Sequence, residues 1–314
     1  MNNPVIMPPT NDQASALREM VSGKKGSAPD ANAAKLAGMR SIAVLSGKGG
    51  VGKSNIAVNL AIALAEMGQR VSVLDADLGL ANIDILFGVV PKYNLGHVLK
   101  GDKELAEILF KVEERVSIIP GGAGLQELAD LDQQKQSWII DRLAYLENET
   151  DVLLLDTSAG IHRTVINFAL ASDISLLITT PEPTAIRDAY SVLKSLCQLS
   201  GKRARIGLVV NMAADEKEGL LISDRIISAA DQFLGFKVPY LGCVVWDAAV
   251  REAVKNRKPL LLGGGNSISA PYFRALARKI GMMTGLDKAR TDKSAASTFL
   301  QRLMKQMRKK ETDH

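Results

Sequence analysis

Short apolar runs alternate with amphipathic stretches along the chain from about residue 40 to residue 286. Each apolar run has the length of a buried strand, and the amphipathic stretches repeat apolar residues at helical spacing. The predicted strands are 41–45, 70–75, 116–120, 151–156, 174–179, 205–210 and 238–245. The predicted helices are 55–67, 133–146, 162–170, 181–199, 215–233, 247–256 and 267–283, with short helices within 78–88 and 93–112. The regular alternation predicts an α/β fold, a parallel sheet with helices on both faces. Pro239 places the last strand at or near an edge.

A glycine-rich loop joins the first predicted strand to the first helix. It reads Gly-Lys-Gly-Gly-Val-Gly-Lys-Ser and fits the phosphate-loop pattern at every specified position. The glycines let several backbone N–H groups converge on phosphates, and the following helix adds the positive end of its dipole. Lys53 is expected to reach the β- and γ-phosphates of ATP, and the Ser54 hydroxyl to ligate Mg²⁺. The predicted nucleotide-binding residues of this loop are Gly47, Lys48, Gly49, Gly50, Val51, Gly52, Lys53, Ser54 and Asn55.

Acidic residues follow two of the apolar strands. Asp156 ends the run 151–156 and is predicted to hold the water shell of Mg²⁺, with Asp75 contributing to the same side. Asp77 follows the second strand in a loop that can approach the γ-phosphate, so it is predicted to orient the attacking water. Asp84 is a rival, but it falls in a helical pattern that favours a structural role. Gly160 is predicted to act as a hinge and to donate a backbone N–H to the γ-phosphate.

The two ends of the chain differ in pattern from its middle. Residues 1–39 combine a Pro-rich start, a short amphipathic helix and a Gly/Ser/Lys-rich linker. Residues 40–286 form the predicted ATPase domain, and residues 287–314 form a linker and an amphipathic helix. One face of that last helix carries Phe299, Leu300, Leu303, Met304 and Met307, and basic residues lie on the other. This pattern is typical of a helix that lies on an anionic membrane, although packing on the domain or on a partner explains it too.

Composition narrows the setting in which the chain works. The 314 residues carry a net charge of +5, which is too mild to imply nucleic acid by itself. The two cysteines, Cys197 and Cys243, lack metal-ligand spacing, so neither a disulfide framework nor a metal cluster is expected. No signal peptide and no apolar run long enough to span a bilayer is found. We therefore expect a cytoplasmic protein.

The glycine loop also points to a family. The early Lys48, followed by Gly49 to Ser54, resembles the deviant Walker A motif of the MinD/ParA ATPases, within the SIMIBI class of phosphate-loop proteins. The stretches Asp75–Gly88 and Asp156–Ile161 are similar to switch I and switch II of MinD-type proteins. This resemblance implies that Lys48 crosses a dimer interface to the partner subunit's phosphates and that ATP drives dimerisation. It also implies that Asp77 positions the attacking water, that Asn211 contacts the base, and that the C-terminal helix targets the inner face of the cell membrane peripherally.

Two features resemble one branch of that family, FlhG (also called FleN or YlxH), whose members control flagellar number and placement. One is the N-terminal helix with Asp12, Gln13 and Ala14, and the other is Thr157–Arg163 in switch II. The resemblance implies that the Asp-Gln-Ala segment stimulates an FlhF-type GTPase, with Gln13 entering its active site. It also implies flagellar C-ring proteins and a flagellar transcription regulator as further partners.

Several alternatives stay open at this point. A cell-division MinD would share the ATPase domain, and a ParA-type partitioner would bind DNA through basic patches on the dimer. Here the basic residues concentrate on an amphipathic tail, which favours lipid, and no direct nucleic-acid contact is expected. A nitrogenase-type iron protein is rejected because the cysteines lack that setting. A scaffold that binds ATP without hydrolysing it is a further reading. Polar residues at the start of helix 181–199, including Glu182 and Thr184, fit either a partner surface or plain solvation.

Overall fold

The computed structural model describes residues 39–77, 82–122, 145–200, 204–264, 266–286 and 295–308. Its strands are β1 (Arg40–Leu45), β2 (Val71–Ala76), β3 (Phe110–Glu113), β4 (Val116–Ile119), β5 (Val152–Thr157), β6 (Ile174–Thr179), β7 (Ile206–Ala213) and β8 (Tyr240–Val245). Its helices are α1 (Lys53–Glu66), α2 (Ile83–Phe87), α3 (Leu95–Leu99), α4 (Leu105–Ile108), α5 (Tyr145–Glu149), α6 (Arg163–Ala171), α7 (Pro183–Ser200), α8 (Glu216–Leu234), α9 (Ala248–Lys255), α10 (Ala270–Thr284) and α11 (Ala295–Arg308). A 3₁₀ turn covers Leu260–Leu262. The predicted partner residues Asp12, Gln13 and Ala14 lie outside the described residues, as does most of the predicted helix 133–146.

The described strands form one sheet in the order β3-β4-β2-β5-β1-β6-β7-β8. All neighbouring pairs run parallel except β3 and β4, which are antiparallel. β1 therefore lies at the centre, between β5 and β6, so the loop that follows it leaves the middle of the sheet. In open α/β sheets ligands bind at this carboxyl edge. The predicted edge position of the last strand is confirmed, and Pro239 lies just before β8.

One predicted element is wrong. Residues 110–113 form strand β3, whereas the pattern favoured short helices over 93–112, of which only α3 and α4 form. Phe110 and Lys111 pair with β4 across a tight turn, and the register shifts between Lys111 and Glu113. The strand is mostly exposed, so its sequence lacks the apolar run that marks the other strands. Pairing with β4, rather than burial, stabilises it.

Two hydrophobic cores lie on opposite faces of the sheet, because side chains along a strand alternate between faces. Within β1, Ala43 and Leu45 join one core, whereas Ile42 and Val44 join the other. Helices α1 and α10 cover the second face, and α6, α7, α8 and α11 cover the first. The predicted parallel sheet with helices on both faces is thus confirmed.

Helix α11 packs on the first of these cores. Its side chains Phe299, Leu303, Met304 and Met307 are each at most 6% exposed, and the helix contacts α6, β1 and α5. The side chain of Leu300 lies outside the described residues. Of the two readings of this apolar face, packing on the domain is therefore the one realised in this structure, and membrane contact requires the helix to detach. Among the described helices, none combines the length and hydropathy needed to cross a bilayer.

Candidate functional site

The phosphate loop leaves β1 and turns directly into α1. Gly50 and Gly52 have φ of 79° and 88°, in the left-handed region that favours glycine. Gly52 is the N-cap of α1 and offers no side chain to the first turn, so the amides there are left for a ligand. Gly47 packs against the start of α7, where an added Cβ would lie 2.3 Å from the carbonyl oxygen of Asp188. The local sequence thus forms an anion cradle at the carboxyl edge of the sheet.

Lys53 and Asp156 face each other at the base of this cradle. Lys53 is 9% exposed, and burial lowers its pKa although Asp156 and Asp77 act in the opposite direction. Asp156 is 1% exposed, and within the described residues neither of its carboxylate oxygens has a hydrogen-bond partner. Burial raises the pKa of Asp156 to about 7, and the neighbouring Ser54 hydroxyl and Lys53 ammonium lower it only in part. Two unpartnered, buried carboxylate oxygens beside a phosphate cradle fit the water shell of a magnesium ion.

Asp75 holds the start of switch I. Its carboxylate accepts hydrogen bonds from the backbone N–H groups of Asp77, Asn82 and Ile83, at 3.2, 2.9 and 3.2 Å. Burial raises the pKa of Asp75 despite these bonds. The sequence reasoning gave Asp75 a place on the magnesium side and missed this clasp. Asp75 in β2 is the register partner of Asp156 in β5, so the two carboxylates belong to neighbouring strands. The contribution of Asp75 to magnesium binding stays a prediction, in addition to its structural role.

Asp77 and Asp84 lie in different surroundings. Asp77 lies just beyond β2, half-buried and close enough to Lys53 to influence its pKa. Asp84 lies in α2, where its carboxylate accepts the backbone N–H of Ile85 at 2.7 Å. The structure therefore places Asp77, and not Asp84, beside the phosphate-loop lysine. Its water-positioning role stays a prediction.

Switch II is tied to the phosphate loop. The backbone N–H of Gly160 donates to the carbonyl oxygen of Ser46 at 2.8 Å, and Gly160 has φ of 98°. The Thr157 hydroxyl donates to the Val44 carbonyl, also at 2.8 Å. The N–H group predicted to bind the γ-phosphate thus already donates a hydrogen bond, and its bond to Ser46 must break before it can bind a nucleotide.

Lys48 is held within its own chain. Its ammonium group donates to Glu182 Oε2 at 2.5 Å and to Thr184 Oγ1 at 2.9 Å. Both partners belong to the segment that opens α7. The sequence treated Glu182 and Thr184 as a partner surface or a solvated helix start, and it missed their contact with Lys48. No local pattern signals this pairing, because 134 residues separate Lys48 from Glu182.

A cavity of about 310 Å³ opens beside Gly52 and is mostly apolar. Asn211 at the end of β7 lines it, 6% exposed, with its side-chain N–H donating to the carbonyl oxygen of Val51 at 2.8 Å. The following residue, Met212, lines the cavity too and has φ of 57°, where the register between β7 and β8 shifts. Trp246 and Asp247, which the sequence pattern did not single out, also line this cavity. The cavity adjoins the phosphate loop as a nucleobase site must.

Comparison with known proteins agrees with this geometry. The family described as the CobQ/CobB/MinD/ParA nucleotide binding domain matches residues 42–260. The chain is similar to the antiactivator FleN of Pseudomonas aeruginosa, with 38% identity over 239 residues, covering 76% of this chain and 85% of the relative. It is also similar to the flagellum site-determining protein YlxH of Helicobacter pylori, with 33% identity, covering 94% of this chain and 99% of the relative. A match that covers 94% of this chain must include part of residues 1–38.

Solved structures repeat the fold. The septum site-determining protein MinD of Pyrococcus horikoshii, complexed with Mg-ADP, superposes with a TM-score of 0.63 at 26% identity. The match covers 80% of this chain and 100% of that one. The cell division ATPase MinD of Pyrococcus furiosus gives 0.62 at 26% identity, covering 78% of this chain and 99% of that one.

Proposed function

Because the chain belongs to the CobQ/CobB/MinD/ParA nucleotide-binding family and is a P-loop ATPase, we propose that it is an ATP-controlled dimerisation switch that regulates flagellar number and placement. The names of FleN, an antiactivator, and YlxH, a flagellum site-determining protein, support the flagellar assignment. The observation that carries the switch is the position of Lys48, a second loop lysine that points away from the cradle to α7.

The cradle performs the chemistry with fixed groups. The loop amides and Lys53 bind the phosphates, and Lys53 stabilises the charge that develops on them during hydrolysis. Ser54, Asp156 and Asp75 would hold Mg²⁺, which supplies charge neutralisation at the β- and γ-phosphates when bound. Asp77 accepts a hydrogen bond from the attacking water and aligns it. Slow hydrolysis at this site then acts as a timer.

Lys48 changes partners in the dimer. Its side chain is 38% exposed and that of Glu182 is 63% exposed, so their ion pair contributes at most about 1 kcal/mol. A pair this weak opens readily, which lets Lys48 reach the phosphates of a second copy. Met212 and Trp246, 42% and 52% exposed, are large apolar side chains that line the cavity beside Gly52, and Ile161 in switch II is 52% exposed. A second copy of the chain would cover them.

Helix α11 would couple the state of the switch to membrane binding. Burying one of its apolar side chains stabilises the stowed helix by about 1.5–3 kcal/mol, so the four buried ones need another apolar surface on release. An anionic bilayer offers that surface, since Lys305 and the neighbouring basic residues of this helix attract the headgroups. The protein would thus cycle between a cytoplasmic monomer and a dimer on the inner face of the cell membrane.

The N-terminal segment would act on a partner. A linker follows Asp12, Gln13 and Ala14, and it is long enough to let this segment reach a partner protein. We propose that this segment stimulates an FlhF-type GTPase, with C-ring proteins and a flagellar transcription regulator as further partners. The alternative, a cell-division or cargo-positioning role, would use the same ATPase domain without this segment.

Two measurements test these proposals separately. Light scattering after size exclusion should find a dimer with ATP but not with ADP, and Lys48→Ala should abolish it, whereas Lys92→Ala should not. A Lys48→Ala protein that dimerises and hydrolyses ATP normally refutes the switch.

The full chain should stimulate the GTPase activity of the cognate FlhF-type protein, and Gln13→Ala should remove the stimulation. No stimulation by the wild-type chain would refute the proposed action on the FlhF-type GTPase, while the similarity to FleN and YlxH would still support a flagellar role.

A further inference from the structure

The base cavity contains a carboxylate that ought to favour guanine. The Watson–Crick edge of guanine presents two adjacent N–H donors, and an aspartate accepts both, whereas adenine presents one amino group and an acceptor. Asp247 lines this cavity together with Asn211 and Arg251. A free carboxylate there would oppose the ATP specificity expected of this family. The contacts of Asp247 therefore matter for the choice of nucleotide.

Most of the accepting capacity of Asp247 is used within the chain. Its Oδ1 accepts the backbone N–H of Ala249 at 2.9 Å, which caps α9. Its Oδ2 accepts the Ser267 hydroxyl at 2.6 Å, the Ser269 hydroxyl at 3.0 Å and the Ser269 backbone N–H at 3.1 Å. Each carboxylate oxygen offers about two lone-pair positions, so Oδ2 is fully occupied and only one position on Oδ1 stays open.

The clasp around Asp247 is half-buried and lies at the start of α10. Ser269 is fully buried, and the Ser267 hydroxyl also lies 3.1 Å from that of Ser269. Burial alone would raise the pKa of Asp247, but the donors from Ser267, Ala249 and Ser269 together lower it. The carboxylate is thus held ionised and turned toward the start of α10.

We propose that Ser267 and Ser269 make this site select adenine over guanine by engaging the carboxylate of Asp247. Guanine would bring two N–H donors to a carboxylate whose Oδ2 is fully occupied, so one of them would lose its water without gaining an acceptor. Adenine makes no such demand, and Asn211 suits it. The nitrogen of the Asn211 amide donates to Val51, which leaves its oxygen to accept from the amino group of adenine. The inference rests on the proposed binding of the base in this cavity.

The test is the ratio of ADP to GDP affinity, measured by calorimetry on the full chain with Mg²⁺. In the variant Ser267→Ala/Ser269→Ala the carboxylate keeps only the backbone donors, and GDP can pair with the freed acceptor. We expect the ADP/GDP preference to fall by roughly tenfold or more, through tighter GDP binding. The pair Ser267→Thr/Ser269→Thr keeps both hydroxyls and should restore the preference. Ser191→Ala, a serine whose hydroxyl donates to Arg187 on α7, is the matched control.

The outcomes separate specificity from structure. An unchanged ratio, or an equal loss of ADP and GDP binding, would overturn the inference, because a purely structural clasp affects both purines alike. A second variant tests the base site itself. Val250→Trp fills the cavity and should weaken ADP binding while leaving tripolyphosphate binding intact, which also reports that the fold is kept. If ADP binding does not change in Val250→Trp, the base lies elsewhere and the proposed site, rather than the serine clasp, is wrong.

Discussion

A charge reversal at Arg302 should release helix α11 without ATP. Arg302 Nη2 donates to Asp173 Oδ1 at 3.0 Å, and the two side chains are 34% and 12% exposed. Asp173 is fixed from the other side, since its Oδ2 accepts the backbone N–H and the hydroxyl of Ser41 at 3.0 and 3.1 Å. Arg302→Glu replaces an attraction by a repulsion against a carboxylate that cannot turn away.

The magnitude follows from the partial burial of the pair. Exposed ion pairs contribute up to about 1 kcal/mol, whereas losing one partner of a buried pair costs several kcal/mol. For this partly buried pair, the charge reversal should destabilise the packed position of α11 by about 1–2 kcal/mol. That shifts the balance between stowed and released helix by roughly 5- to 30-fold. Co-sedimentation with vesicles of phosphatidylglycerol and phosphatidylcholine, without nucleotide, should therefore recover several times more Arg302→Glu than wild-type protein.

Lys305→Glu is the matched control, because Lys305 is exposed on the same helix and the change in charge is identical. This variant loses electrostatic attraction to the lipid while the ion pair to Asp173 stays intact, so its binding should fall. If Arg302→Glu binds vesicles no better than Lys305→Glu, the ion pair does not hold the helix and the reasoning fails. A truncation before Phe299 should bind no vesicles in either nucleotide state.

Three further predictions concern the nucleotide site. The pKa of Asp156 in the nucleotide-free protein, about 7, lies above the ordinary 3.8, so its contribution to stability is complete below pH 4 and is lost as the pH rises through 7. Asp156→Asn should therefore raise the thermal midpoint at pH 8 but not at pH 4, in melts without Mg²⁺, and an equal rise at both pH values would contradict this. Glu182→Gln frees Lys48 and should increase the dimer fraction at subsaturating ATP in light scattering, whereas a decrease would mean that Glu182 serves the dimer itself. Asp77→Ala should slow ATP hydrolysis at least about tenfold while the ATP dimer persists, and hydrolysis at the wild-type rate would show that another group aligns the water.

The sequence predicted the sheet and the phosphate cradle because each depends on local signals. Buried strands such as β5 and β6 are continuous apolar runs, and the glycine pattern fixes the loop whatever surrounds it. Contacts between distant segments carry no such signal. The Lys48–Glu182 pair and the three donors from Ser267 and Ser269 to Asp247 join residues that only the fold brings together.

The C-terminal helix illustrates a different limit. An apolar stripe opposite basic residues has the same sequence whether lipid or protein covers it. The pattern therefore predicted the helix and its buried face, but it left the covering surface open. In the structure α6 and the first core provide that surface. Competition between two apolar surfaces is a property of the whole molecule, and in the proposed switch each surface would cover the helix in a different state.

Helix α6 connects the nucleotide site to this covering surface. It begins at Arg163, directly after switch II, in which the Gly160 N–H donates to the Ser46 carbonyl oxygen. Helix α11 packs along α6. The far end of α6 leads to Asp173, which binds Arg302. If a γ-phosphate draws Gly160 from Ser46 and α6 follows as a rigid unit, both the apolar contacts and the ion pair of α11 change together. Backbone hydrogen exchange in α11 should then be faster in Asp77→Ala trapped with ATP than in the same variant with ADP, while exchange in α10 on the opposite face stays unchanged. Equal exchange in α11 in the two states would mean that dimer contacts, and not α6, release the helix.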